Sequence, residues 1–181
     1  MPGEGRTLTK TQKSSTKIFA EAVIAIALSV TLSYIKIFRM PQGGSITAGS
    51  MIPIIWFALR RGLRAGLEAG AVYGLVKLAL PGAEFLHPVQ VLLDYPLAFG
   101  SLGLAGGFKK YPLIGVGIGM FSRFFIHFIS GIVFFASYTP EGMHPAVYSA
   151  LYNGSYMLPE FIITAILMYL LVKKKALEIY L

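Results

Sequence analysis

Apolar residues in this chain come in long runs, and the polar residues gather between them. Six runs can be drawn: Ile18 to Ile37, Ile46 to Leu59, Gly66 to Leu80, Val89 to Phe108, Pro112 to Ser137 and Ala146 to Val172. Coiled as a helix, a run of ~20 apolar residues matches the hydrocarbon thickness of a bilayer. The second run has only 14 residues. It is expected to start inside the membrane, beneath a loop that folds over it. Turn signals and charges mark the connections. They are Pro41-Gln42-Gly43-Gly44-Ser45, Arg60-Arg61-Gly62, Pro81-Gly82 with His87-Pro88, Lys109-Lys110, the stretch 138–145 and Lys173-Lys174-Lys175. Ala25-Ile-Ala27 has the form of a leader cleavage site, but the apolar run continues past it to Ile37, so the segment reads as a span. The pattern predicts an all-α membrane protein, a six-transmembrane-helix bundle. Residues 1–16 read as a flexible basic tail, 17–175 as one membrane domain and 176–181 as a second short tail.

Composition supports this reading: 55% of residues are hydrophobic and 13% charged, against about 25% charged in soluble domains. The net charge of +8 acquires a meaning from topology. Six spans put both termini on one side. If that side is cytoplasmic, the inner segments hold Arg6, Lys10, Lys13, Lys17, Arg60, Arg61, Arg64, Lys109, Lys110 and Lys173 to Lys175, twelve in all, while the outer segments hold only Lys36 and Arg39. Such a bias orients membrane proteins with positive charge inside. Both termini are therefore expected to be cytoplasmic, and the charge requires no nucleic acid. With no cysteine, disulfides and thiolate sites are excluded. The chain has no G-x-x-x-x-G-K-[ST], H-E-x-x-H or G-x-S-x-G, so no metal or cofactor is expected and no ATPase loop is present. Uptake through such a chain would draw energy from ion coupling or from a partner.

The candidate chemistry lies in the polar residues inside the runs. Arg123 and His127 stand four apart and share a helix face, which Gly131 continues. An ionised side chain in hydrocarbon costs several kcal/mol or more unless it faces protein, water or a ligand. On the predicted topology Asp94 lies about 8 Å below the outer end of the fourth helix and His127 about 15 Å below that of the fifth, with Arg123 a turn deeper. Tyr148 and Asn153 fall in the first outer turns of the sixth helix. A carboxylate, an imidazole, a guanidinium, a phenol and an amide in one half of a bundle form a plausible pocket open to the outside. Tyr148 and Asn153 are about 140° apart around a helix, so both reach one pocket only if the helix starts late or the pocket wraps it. Tyr95, Phe134, Phe135, Tyr138, Tyr148, Tyr152 and Tyr156 crowd the same end. They suit either an interfacial belt or stacking on a flat cationic ligand. An inert Asp94–Arg123 bridge is the structural alternative. Ala22, Ala25, Ser29 and Ser33 form a small-residue stripe on the first helix, for packing within the bundle or against a partner.

Together, Leu-Arg-Arg-Gly at 59–62, Asp94-Tyr95, Arg123-x-x-x-His127-Phe-x-x-Gly131 and Tyr148-x4-Asn153-Gly154 resemble the thiamine-specific substrate-binding subunits (S components, ThiT/YuaJ type) of energy-coupling factor transporters. The similarity runs from about Glu21 to Lys174. It implies a non-enzymatic, six-helix subunit of the bacterial plasma membrane that binds thiamine from outside. An ECF module, one transmembrane coupling protein and two ATPases, would drive release inside. The resemblance further implies Asp94 as counter-charge or amino-group acceptor, Tyr95 at the hydroxyethyl end and His127 packed on the ligand. Tyr148 and Asn153 would bind the aminopyrimidine, Phe135 would stack, Arg123 would support the site, and the loop 38–46 would act as a lid. Asp94 replaces the family's usual Glu, and Phe135 stands where a Trp can occur. The strict A-x-x-x-A motif of helix one is absent. Two readings from other classes stay open on the residues alone: a stand-alone ion-coupled carrier using Asp94, Arg123 and His127 as a proton relay, and a membrane enzyme acting on lipid headgroups.

Overall fold

The computed structural model describes residues 10–41 and 43–175. Helix α1 spans Lys10–Tyr34 and leads into a hairpin of strands β1 (Lys36–Arg39) and β2 (Ser45–Thr47). Helices α2 (Ile52–Arg61) and α3 (Leu63–Leu78) follow. Next come α4 (Pro88–Gly107), α5 (Pro112–Phe134) and α6 (Pro145–Lys173). The helical class is as expected. Helix α1 already begins inside the stretch read as a tail. Residues 1–9, Gln42 and the tail at 176–181 lie outside the described residues.

Among the described residues four helical stretches are long and apolar enough to cross a membrane: Ser15–Tyr34, Pro88–Gly107, Pro112–Phe134 and Pro145–Lys173. The other two are shorter. At 10 and 16 residues, α2 and α3 reach about 15 and 24 Å, less than a hydrocarbon core of about 30 Å. Ile54, Ile55, Phe57 and Leu59 bury α2 in the centre of the bundle. Large apolar side chains such as Phe121, Phe125 and Val133 on α5 and Leu151, Leu158 and Ile166 on α6 point outward, as a bilayer-facing surface requires.

The expected loop at 38–46 is mostly hairpin. Lys36 pairs with Thr47, Phe38 with Ile46 and Arg39 with Ser45, with an irregularity between Lys36 and Phe38. Ile37-Phe38 and Ile46-Thr47 are strand-forming pairs on either side of the Pro-Gln-Gly-Gly sequence, and each is too short for alternation to reveal it. The Met40 N–H closes the turn on Gly44 O at 2.7 Å.

Proline in the first turn starts α2, α4, α5 and α6, where its missing N–H costs nothing. His87 and His144 cap α4 and α6, their Nδ1 atoms accepting from Val89 N and Ala146 N at 3.1 and 3.2 Å. Two of the chain's three histidines are thus explained by local structure, and His127 is the one left for other chemistry.

Small residues set how closely the helices pack. A Cβ on Gly103 of α4 would lie 2.1 Å from Leu67 N, and one on Gly70 of α3 would lie 2.4 Å from Phe99 O. Backbone meets backbone along this seam, as in close-packed membrane helices. The α1 stripe is used in the same way. Ala25, Ser29 and Ser33 are buried, and Tyr73 and Lys77 of α3 reach Ser29 O and Ser33 Oγ at 3.4 and 3.3 Å. Of the two uses open to that stripe, packing within the bundle is the one observed. Phe19, Val23, Ile24 and Leu28 form the outer face of α1.

Candidate ligand-binding site

The site begins at a distortion in α4. Pro96 has no N–H to donate, and its ring conflicts with the carbonyl four residues earlier. The helix widens into a π turn over Leu93–Leu97, a geometry frequent at functional positions. That turn carries Asp94 and Tyr95. It is seated on α3 at Gly74, where an added Cβ would lie 2.3 Å from Tyr95 O.

Asp94 Oδ1 lies 3.0 Å from His127 Nδ1 on α5. A carboxylate only accepts, so the shared proton sits on Nδ1 and a neutral ring keeps a lone pair on Nε2. Nε2 is buried with no hydrogen-bond partner among the described residues. The other carboxylate oxygen, Oδ2, accepts from Gln90 Nε2 at 2.7 Å. Gln90 is itself 1% exposed. Its Nε2 also reaches Glu84 O at 3.3 Å and its Oε1 accepts from Leu86 N at 3.1 Å. Glu84 N donates to Tyr95 OH at 2.8 Å. The α3–α4 connection is therefore strung to the same residues that fix Asp94. Gln90→Leu would leave the Asp94 Oδ2, the Glu84 carbonyl and the Leu86 amide short of partners. It is expected to lower the unfolding free energy by about 2 kcal/mol. Amide exchange at Leu86 should quicken; wild-type exchange there would show that Gln90 does not hold the connection.

Arg123 does not pair with Asp94. Its guanidinium lies 4.5 Å from the Phe99 ring centre, with Nη1 3.3 Å from Met51 Sδ and 3.7 Å from Glu160 Oε2. Arg123 and Glu160 are both buried, so the inert-bridge alternative fails for want of the partner it named. Arg123 forms part of the cavity floor.

Tyr148 and Phe135 line the cavity together with Asp94, Tyr95, Arg123, His127 and Gly131. Asn153 lies behind that wall. Its Nδ2 donates to Ser149 O at 3.0 Å and approaches His127 O at 3.4 Å, and its Oδ1 accepts from Tyr156 OH at 2.8 Å. Helix α6 is regular here, so the 140° between Tyr148 and Asn153 puts one in the cavity and the other in the α5–α6 seam. Gly131 brings that seam together: a Cβ there would lie 2.2 Å from Ser149 Oγ. Tyr156, held by Asn153, does line the cavity.

The hairpin forms the roof. Gly44 N donates to Tyr152 OH at 3.2 Å, and Arg39, Gly43, Gly44 and Ser45 line the cavity from above. Tyr148 and Tyr152 stack at 6.0 Å, with Tyr156 edge-on to Tyr152 at 5.8 Å. The cavity has a volume of about 150 Å³. Its lining combines the Asp94 and Glu84 carboxylates, a bare imidazole nitrogen, several aromatic faces and the basic side chains of Lys36, Arg39, Lys77 and Arg123. The wall formed by Asp94, His127 and the rings suits a flat cation with hydrogen-bonding groups. Among the described residues no cluster of three or more metal-ligating side chains occurs.

Reasoning from sequence missed Gln90, Glu160, Lys77 and Glu84. Gln90 could have been found, since it stands one turn before Asp94 on the same face. Glu160, an acid inside a long apolar run, carries the same signal that identified Asp94. Lys77 and Glu84 join the cavity only through the folding of α3 and its exit loop.

Comparison with known proteins gives a consistent result. The model of the family described as thiamine transporter protein (Thia_YuaJ) matches residues 19–179. The thiamine transporter ThiT of Bacillus subtilis (strain 168) is 41% identical over 169 residues, covering 83% of this chain and 88% of that protein. ThiT of Lacticaseibacillus paracasei is 34% identical over 168 residues, covering 82% and 83%. A solved structure of ThiT from Listeria monocytogenes superposes with a TM-score of 0.81 at 27% identity, covering 89% of this chain and 96% of that one.

Proposed function

We propose, since this chain belongs to the thiamine transporter protein (Thia_YuaJ) family, that it is the high-affinity thiamine-binding S component of an ECF-type, ATP-driven uptake transporter. The chain is a multi-pass integral protein of the bacterial cell membrane. Its role is transport, not enzymatic, and chemistry on lipid headgroups is set aside.

The observation that carries the ligand assignment is the Asp94–His127 pair, 3.0 Å apart, beneath a hairpin roof and among aromatic rings. Thiamine is a flat cation with an amino group. Asp94 supplies the counter-charge, and the bare His127 Nε2 is free to accept a hydrogen bond. Tyr148 and Phe135 offer stacking faces, Tyr95 meets the hydroxyethyl end, and Arg123 supports the floor. Asn153, assigned to the aminopyrimidine by family resemblance, already accepts from Tyr156 through Oδ1, whose second lone pair is available to a ligand. In the arrangement observed it positions Tyr156.

We place all six helices in the membrane, both termini in the cytoplasm and the hairpin end outside. The twelve-to-two division of basic residues supports this. The short α2 begins under the hairpin, which fills the depth that α2 does not span. Residues 17–175 form the substrate-binding domain, and the hairpin at 38–46 is its lid. The family resemblance implies the energy source, one coupling protein with two ATPases, and the sequence given carries no nucleotide-binding motif of its own.

Calorimetric titration of the purified protein with thiamine is expected to show saturable binding at one site. No heat and no displacement with thiamine or its phosphates would overturn the assignment. Uptake by the chain alone in proteoliposomes under a proton gradient would favour the ion-coupled carrier.

A further inference from the structure

Glu160 is a carboxylate in the middle of α6, 2% exposed, and the binding chemistry above leaves it unused. A buried charge at membrane depth is retained only where its partners make use of it. One oxygen, Oε1, accepts from both the N–H and the hydroxyl of Thr47, the last residue of β2. Thr47 Oγ1 also meets Ser50 Oγ at 2.8 Å and accepts from Ser50 N at 3.2 Å, fixing the turn into α2. The other oxygen, Oε2, has no hydrogen bond among the described residues and faces Arg123 Nη1 at 3.7 Å. Arg123 Nε is likewise buried without a hydrogen-bond partner. The ion pair is thus loose, while the contact to the hairpin is close and doubled.

We propose that Glu160 is a positioning residue for ligand retention: it anchors the foot of the hairpin roof at Thr47 and joins that anchor to Arg123 in the cavity floor. Among the described residues the hairpin has one other polar tie to α6. At its far end it holds α6 through Gly44 N and Tyr152 OH. The β1 residues are exposed and the turn lies close against Tyr156 at Gly44, so the buried tie at Thr47 fixes the foot of the roof. Arg123 lines the cavity and Glu160 does not. A change at the floor therefore reaches the roof through a carboxylate that touches both. The inference rests on the reading of the cavity as a thiamine site, and one arm of its test does not involve thiamine.

Two variants separate the parts. Glu160→Gln removes the charge facing Arg123 and keeps an acceptor for Thr47. Thr47→Val removes the hydroxyl tie and leaves the ion pair alone. In each, two quantities are measured on the full-length protein in detergent. The first is the rate at which trypsin cuts after Lys36 and Arg39 in the absence of ligand. The second is the dissociation rate of thiamine by stopped-flow chase. Both variants are expected to be cut at least about threefold faster and to release thiamine at least about fivefold faster, with unfolding temperatures close to wild type for Thr47→Val. Wild-type rates of cleavage or of release in Thr47→Val would overturn the proposal, because the anchor would then hold nothing or hold it without consequence for the ligand. If Glu160→Gln fails to fold, Thr47→Val alone decides. If wild-type protein does not bind thiamine, the functional assignment falls, and the cleavage arm still judges the anchor.

Discussion

Replacing Asp94 by Asn is expected to raise the dissociation constant for thiamine at least tenfold while leaving the unfolding temperature nearly unchanged. The loss has two sources. The first is the counter-charge: a hydrogen bond to a charged group contributes about 1.5–3 kcal/mol, and a factor of ten corresponds to about 1.4 kcal/mol. The second is geometry. Asp94 accepts from His127 Nδ1 and from Gln90 Nε2 at once. An Asn side chain has one acceptor and one donor end. If its oxygen faces Gln90, its NH₂ faces His127 and forces the proton to Nε2, so the lone pair offered to the ligand is lost. If its oxygen faces His127, two NH₂ groups confront each other at Gln90. Either arrangement costs binding. Only one contact in the fold is disturbed, which is why stability should hold. Calorimetry and a thermal melt on the same sample test both halves. Unchanged affinity would reduce the Asp94–His127 pair to a structural contact.

The largest effect on folding is expected at Gly103. Valine there would put a Cβ 2.1 Å from Leu67 N and 2.2 Å from Gly66 C. These are backbone atoms of a packed helix and cannot swing aside. Overpacking costs about 1–3 kcal/mol where side chains can adjust, so about 3 kcal/mol or more is expected here. At about 2–4 °C per kcal/mol for a chain of this size, the melting temperature should fall by about 10 °C, or no folded protein should be recovered. Gly117→Ala is the control, because nothing lies within 4 Å of a Cβ at that position. Equal melting of Gly103→Val and wild type would mean that the α3–α4 seam is looser than its geometry indicates.

The two predictions differ in how far the sequence foretold them. Asp94 was legible because a carboxylate in an apolar run has few uses. The importance of Gly103 was visible only as membership in a glycine-rich helix. Its partner could not be named, because which helix lies opposite is a property of the bundle. The same limit explains Arg123. Its burial and depth were predicted, and Asp94 was the partner considered. The partner is Glu160, which lies 37 positions away in sequence and on another helix. Asn153 shows the converse: helical arithmetic alone indicated that it and Tyr148 would not readily share a pocket, and the regular α6 separates them.

What the sequence determined by itself was the solvent and the inventory. Long apolar runs and basic connections are responses to a bilayer, and each can be read locally because hydrocarbon punishes every unpaired polar group individually. The family motifs by themselves make thiamine the expected ligand. The tertiary structure decided the pairings. Asp94 meets His127 because Pro96 opens a π turn that rotates the carboxylate toward α5. The segment at 38–46 is a hairpin because two short strands find each other across a turn, and its foot is set by a carboxylate from α6. Such contacts join residues far apart in the chain. Their geometry depends on how closely glycine seams let the helices approach, and no local pattern encodes that distance.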